Sequence, residues 1–181
     1  MKLDLRPLLA GDRLLTFDYE LPLDVDSEDT ASYLFGVGFP SPMKVSGEIT
    51  NTAGYMRMSV SASVPYQAAC ARCLSEVAGE FTTSLEKTVA PRNILGDLDE
   101  DKLDDYAIIE DGFLDIDELV LLQLEMEFPM RFLCTEDCKG LCPKCGKNLN
   151  GGECGCQTHE IDPRMEPLRK LLEQIKEENN K

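Results

Sequence analysis

Eight cysteines dominate the chemistry available to this sequence. Their spacing is Cys70-x2-Cys73, a gap of sixty residues, then Cys134-x3-Cys138-x3-Cys142-x2-Cys145-x8-Cys154-x-Cys156. A zinc ion takes four soft ligands in a tetrahedron, about 2.3 Å from each sulfur, and a tight turn can offer it two cysteines at once. Cys142-Pro143-Lys144-Cys145-Gly146 has that form. The proline pre-sets the turn, and the glycine after the second cysteine permits a positive φ that aims backbone N–H groups at the thiolates. Gly151, Gly152 and Gly155 lend similar freedom around Cys154 and Cys156.

Eight thiols make two sets of four. The preferred partition gives one local site of Cys142, Cys145, Cys154 and Cys156, and a second of Cys70, Cys73, Cys134 and Cys138. The expected cofactor is zinc, as two ions or at least one. The second site would staple two stretches about sixty residues apart, closing a long loop. Two alternatives stand. His159 can replace Cys154 or Cys156, because Cys-x-Cys is a less usual ligand pair. Cys134 and Cys138 can instead pair with Cys142 and Cys145.

Other chemistry fits less well. Cys70 and Cys73 could act as a redox dithiol, but such motifs sit at a strand-to-helix junction, and here strands flank both sides. A closed four-cysteine shell leaves no open position for hydrolysis. Gly140 and Gly146-Lys147 miss the phosphate-loop pattern, because five residues separate the glycines and Asn148 stands where Ser or Thr is needed. His159 reads as a cap or surface residue. No catalytic residue is assigned, and no small-molecule substrate is expected.

Charge narrows the partners. The chain has 181 residues, 34 acids and 18 bases, for a net −16. Residues 93–133 hold thirteen of the acids and two of the bases, whereas 134–181 is nearly neutral. Such acidity suits a basic protein and disfavours nucleic-acid tracking by the whole surface. The candidate nucleic-acid contacts are therefore local: Arg72, Lys139, Lys144 and Lys147, which lie among the cysteines. They could equally balance thiolates, since a four-cysteine zinc site carries −2. The chain lacks a signal-peptide pattern and a membrane-spanning apolar run, so a reducing cytoplasm is the expected setting.

The elements that would position these groups are mostly strands. Leu15, Phe17, Tyr19 and Leu21 alternate with polar residues, as do Met56, Met58, Val60, Ala62 and Val64. Val45 and Ile49 mark a short strand, and Val77, Phe81, Leu85 and Val89 share one parity. Continued through Tyr66 and Ala68, the parity puts Cys70 and Cys73 at a hairpin end with both thiols inward. Residues 97–105 read as a solvated acidic loop. Asp115 and Glu118 form a capping box with Leu114 and Leu119 as its staple, which predicts a helix over 116–127 ended by Pro129. Asp162 and Pro163 start a second helix with an apolar stripe of Met165, Leu168, Leu171, Leu172 and Ile175. The predicted fold is α+β: an antiparallel β-sheet or partly open barrel with two helices and a cysteine-rich zinc-binding C-terminal region. Its parts would be a β-rich core with acidic segment and helix (1–133), a zinc-binding module (134–160) and an amphipathic helix (161–181).

Cys-Ala-Arg-Cys-Leu at 70–74, Glu127-Phe128-Pro129-Met130, CTEDCKGLCPKCGKNLN at 134–150, Cys-Gly-Cys at 154–156 and Asp162-Pro163-Arg164 together resemble the YceD family of large ribosomal RNA subunit accumulation proteins. The resemblance covers most of the chain. It implies a cytosolic, non-enzymatic role in ribosome biogenesis and rRNA accumulation. It also implies ribosomal RNA, a basic large-subunit ribosomal protein, or both as partners. The competing expectation is a thiol-based redox or metal-sensing protein using Cys70 and Cys73.

Overall fold

The computed structural model describes residues 1–11, 13–23, 36–96, 103–156 and 171–172. In chain order the described elements are β1 (Lys2–Asp4), α1 (Arg6–Ala10), β2 (Leu14–Leu21), β3 (Val37–Gly38), β4 (Met43–Thr52), β5 (Tyr55–Ala69), β6 (Glu76–Pro91), α2 (Arg92–Leu95), β7 (Tyr106–Ile109), β8 (Phe113–Asp115) and α3 (Ile116–Glu127). A 3₁₀ turn follows at Leu149–Gly151. The chain forms two compact units. One comprises Met1–Ala71 and Ser75–Cys134, the other Arg72–Leu74 and Thr135–Lys181.

The first unit is built on an open sheet in the order β2-β4-β5-β6-β7, with β3 also paired to β5. Parity explains its dry face. Met56, Met58, Val60, Ala62 and Val64 of β5 are all buried, as are Met43, Val45 and Ile49 of β4 and Leu85 and Val89 of β6. Each fully buried aliphatic side chain contributes about 1.5–3 kcal/mol over its exposed state. Helix α3 starts where its cap predicts. The Asp115 carboxylate accepts from the backbone N–H of Asp117 (3.2 Å) and Glu118 (3.5 Å). The buried residues of α3 are Ile116, Val120 and Leu124, at the four-residue spacing of one helix face, and they belong to the same core as the sheet's inner face.

Two cross-strand pairs shape this sheet. Phe17 lies opposite Gly47, and Tyr66 opposite Gly79. A Cβ on Gly47 would come within 2.7 Å of the Phe17 ring, and one on Gly79 within 2.7 Å of the Tyr66 hydroxyl. In each pair an aromatic ring occupies the space a missing side chain leaves.

Beyond the helix, Phe128 is the hub of an aromatic cluster. Its ring centroid lies 5.1 Å from Phe81, 5.6 Å from Phe132 and 5.7 Å from both Phe39 and Tyr66. Tyr66 and Phe132 also meet, at 4.8 Å. The carbonyl of Phe132 accepts from the Ala71 N–H at 2.8 Å, which ties the stretch after α3 to the end of β5.

Three features differ from expectation. The sheet is not purely antiparallel, because β7 pairs with β6 in parallel. Residues 92–105 lie between these strands, enough chain for the crossover that parallel pairing needs. The second sheet, β1 with β8, involves strands of three residues, too short for an alternation pattern to register. Helices α1 and α2 are additional to the two expected, and both are brief. The predicted C-terminal helix and most of its stripe lie outside the described residues, as do 97–102 of the acidic loop. Of the stripe, Leu171 and Leu172 are described, and both are helical and exposed.

Candidate metal centres

The cysteines converge in two groups of four. The ligand sulfurs of Cys142, Cys145, Cys154 and Cys156 lie within 4.8 Å of one another, and so do those of Cys70, Cys73, Cys134 and Cys138. A tetrahedral thiolate shell with bonds of about 2.3 Å has sulfur–sulfur edges of about 3.8 Å. Both groups are therefore of a size to close on a single ion. A multinuclear iron–sulfur cluster would hold its cysteines further apart, because iron and sulfide lie between them. His159 lies outside the described residues.

Both groups start from the same backbone device. In the 142–145 turn, the Cys142 N–H donates to the Lys147 carbonyl (2.9 Å). In the 70–73 turn, the Cys70 N–H donates to the Ser75 carbonyl (2.8 Å). Each closure joins residues five positions apart and contains both cysteines of its pair. Each turn also needs a left-handed residue just after its second cysteine. Gly146 supplies it at φ 71°, where a glycine is at home. The first turn uses Leu74 at φ 59°, with its side chain 68% exposed. The glycine signal was legible in sequence; its leucine counterpart was not.

Electrostatics distinguish the thiols of the 142–156 group. Backbone N–H groups of Cys145 and then Lys144 point at the Cys142 sulfur, with a further hydrogen bond from Cys154, and lower its pKa to about 6. Cys156 is pushed up to about 12, first by its hydrogen bond to Cys145 and then by that to Cys154. A divalent cation would favour the thiolate form of its cysteine ligands.

In the 70–138 group, Cys70, Cys73 and Cys138 are buried and Cys134 is exposed. The inward placement that strand parity assigned to Cys70 and Cys73 is the one observed. The Cys134 N–H donates to the Cys70 sulfur at 3.4 Å, and the side-chain amide of Asn150 donates to the Cys138 sulfur at 3.2 Å. Hydrogen bonds of this kind orient metal ligands and tune their basicity. Asn150 is a residue that spacing gave no means of finding.

The four candidate basic contacts take different roles. The Arg72 guanidinium donates to the carbonyls of Cys138 (2.8 Å) and Glu136 (3.3 Å). Its own carbonyl accepts from the Leu141 N–H at 3.1 Å. Arg72 is thus a strut within the second unit. Lys147 donates through Nζ to the Glu153 carbonyl at 3.0 Å. Lys139 uses its backbone N–H, which Asn150 Oδ1 accepts at 2.7 Å. Lys144 donates its backbone N–H toward Cys142, as above. Apart from the cysteines, the first unit has a cleft of about 540 Å³ beside β7 and α3, lined among others by Lys87, Arg92, Tyr106, Glu118 and Leu122. No helix among the described residues is long and apolar enough to cross a membrane.

The class is therefore an α+β protein with a mostly antiparallel open sheet and two four-cysteine groups able to hold metal ions. More particularly, the chain belongs to the family of the large ribosomal RNA subunit accumulation protein YceD, whose model matches residues 57–172 and so includes all eight cysteines. Among curated relatives, an uncharacterized protein of Mycobacterium tuberculosis (strain H37Rv) is 32% identical over 111 residues, covering 61% of this chain and 52% of its own length. An uncharacterized protein of Bacillus subtilis is 29% identical over 135 residues, 74% of this chain and 76% of its own. The chloroplastic YCED homolog 1 of Arabidopsis thaliana, named a large ribosomal RNA subunit accumulation protein, is 36% identical over 64 residues, 35% of this chain and 20% of its own. The chain spans about half the length of the mycobacterial relatives it matches. No solved structure matches it significantly.

Proposed function

We propose that this protein is a non-enzymatic ribosome-biogenesis factor of the cytoplasm that supports accumulation of large-subunit ribosomal RNA and holds two structural zinc ions. The observation that carries this reading is the family match, which runs from β5 through both cysteine groups. Zinc is favoured by the donor set: four thiols per group, each group of tetrahedral size, with no carboxylate or imidazole joining them among the described residues. When bound, such an ion supplies cross-linking and charge neutralisation. The cysteine turns orient their sulfurs toward it.

The acidic stretch 93–133 suits a basic ribosomal protein, and such an encounter is steered by charge and weakened by salt. Direct contact with RNA would fall to Arg72, Lys139, Lys144 and Lys147. Because Arg72 also braces its own loop, Lys139 is the cleaner position for charge reversal.

The test is depletion of the protein followed by measurement of large-subunit against small-subunit ribosomal RNA. A selective fall in the large-subunit species is expected, and unchanged ratios would overturn the reading. Recovery of bound RNA and protein from cells at low and high salt identifies the partner. Metal analysis separates this reading from a thiol enzyme or redox sensor. Two zinc ions per chain with no titratable thiols are expected, whereas one ion and four reactive thiols would favour the sensor.

A further inference from the structure

We infer that Asn150 couples the two metal centres, so that loading the 142–156 site strengthens metal binding at the 70–138 site. The inference rests on the metal reading above and goes beyond it. Asn150 lies in the 3₁₀ turn Leu149–Gly151. That turn falls between Cys145 and Cys154 and thus inside the loop that metal at the 142–156 site would close. Its side chain, however, serves the other site. The amide donates to the Cys138 sulfur at 3.2 Å, while Oδ1 accepts from the Lys139 N–H at 2.7 Å. The Lys139 backbone group can only donate, so the oxygen must face it and the amide nitrogen must face the sulfur. The side chain has one usable orientation.

The turn holds that orientation by local bonds. The Asn150 N–H donates to Asn148 Oδ1 at 2.9 Å. The Leu149 N–H donates to the Gly140 carbonyl at 2.9 Å, and Leu141 bridges to Asn148. Metal between the 142–145 turn and the Cys154–Cys156 arm closes the eight-residue segment that carries this turn, which removes conformations in which Asn150 swings away. The amide is then already placed when Cys138 binds its own ion. A hydrogen bond to a thiolate favours the ionised ligand and fixes its direction, and losing such a supporting contact typically costs ten- to hundredfold in metal affinity. Coupling of binding free energies is reciprocal, so metal at Cys138 must favour loading of the 142–156 site by the same factor.

The experiment is titration of the metal-free full chain with Co²⁺ and Zn²⁺ against a competing chelator. It compares the wild type, Asn150→Ala, Cys154→Ser/Cys156→Ser, and the three changes combined. Asn150→Ala is expected to bind two ions still, with affinity at the 70–138 site lowered ten- to hundredfold. Its cobalt–thiolate charge-transfer band should move to longer wavelength, because the sulfur loses a hydrogen bond. The Cys154→Ser/Cys156→Ser protein should bind one ion, with a similar loss, and adding Asn150→Ala should then change little. Asn150→Asp keeps the acceptor for Lys139 and so keeps the turn, but sets a carboxylate beside the thiolate. It should lose affinity at the 70–138 site, while the affinity of the 142–156 site measured with the 70–138 site empty is unchanged. Wild-type affinity and band position in Asn150→Asp, or effects that simply add in the combined variant, would overturn the coupling. A wild-type chain that binds no metal would overturn the metal reading itself, and the coupling with it.

Discussion

Truncating Phe128 to alanine should destabilise the first unit more than most single substitutions in this chain. The ring is buried, and it is the shared member of four of the five ring pairs in its cluster. Removing a buried phenylalanine costs about 3–5 kcal/mol, through lost transfer energy and the cavity left behind. The ring–ring contacts place Phe128 toward the upper end, because each such pair adds about 0.5–1.5 kcal/mol beyond area burial. For a protein of this size, about 2–4 °C of Tm accompanies each kcal/mol, giving a fall of about 6–20 °C. The assay is thermal and urea unfolding of the metal-loaded chain, followed by far-UV circular dichroism. Phe128→Leu serves as the control, since it refills much of the volume and should lose substantially less. The lesion also reaches the ligands. Phe132 packs on Phe128, and its carbonyl holds the Ala71 N–H, between Cys70 and Cys134 in the bonding pattern. Zinc release to a chelator should therefore be faster in Phe128→Ala well below its Tm. A Tm within about 2 °C of wild type, less than 1 kcal/mol on the same scale, would refute the cluster as a keystone of this unit.

Two further outcomes concern the start of α3. Asp115→Ala removes the acceptor for two helix N–H groups and should cost about 1 kcal/mol, whereas Asp115→Asn, an equally good cap, should cost little; chemical denaturation of the three proteins checks this. Tyr19, whose hydroxyl donates to Asp117 at 2.6 Å, has its pKa raised to about 12, mainly by burial and then by the negative charge of Asp115. Its contribution to stability should be complete below pH 10 and fade as pH rises from about 10 through 12, because the unfolded chain gives up this proton first. Comparing wild type with Tyr19→Phe across that range should show the wild type losing its advantage, and a constant difference would contradict the assignment.

Much of the fold can be read from residue patterns, and the parts that cannot have identifiable physical reasons. Strands β2, β5 and β6 each run eight residues or more with one dry face, so alternation shows plainly, whereas β4, ten residues long, reads in sequence only as a short strand because Gly47 interrupts its apolar positions. Helix α3 declares itself through Asp115 and Pro129. By contrast, β7 is four residues, Tyr-Ala-Ile-Ile, just after two aspartates. Its parallel partner is set by a crossover and leaves no local mark. Spacing suggests the grouping of the cysteines without deciding it, because Cys134 and Cys138 lie nearer in the chain to Cys142 and Cys145, and it is the fold that brings them to Cys70 and Cys73. What supports the ligands is hidden. Leu74 adopts a glycine-like conformation without being glycine, and Asn150 meets Cys138 through a turn that spacing does not specify. Arg72 reads in sequence as a nucleic-acid contact or a balance for thiolate charge, yet its guanidinium donates to two carbonyls.

The aromatic rings seated over Gly47 and Gly79 also act as a proofreading device for strand alignment. Shifting β2 by two residues would keep its apolar face inward and so escape the usual penalty for misalignment. It would, however, bring Phe17 opposite Val45 or Ile49, where no hollow receives it. The Tyr66–Gly79 pair imposes the same discrimination on β5 and β6, four residues before Cys70. A two-residue error there would carry the Cys70–Ser75 closure out of step and separate the hairpin's cysteines from their partners downstream. The convergence of the hairpin's cysteines on their partners thus depends on the register that the Tyr66–Gly79 pair favours.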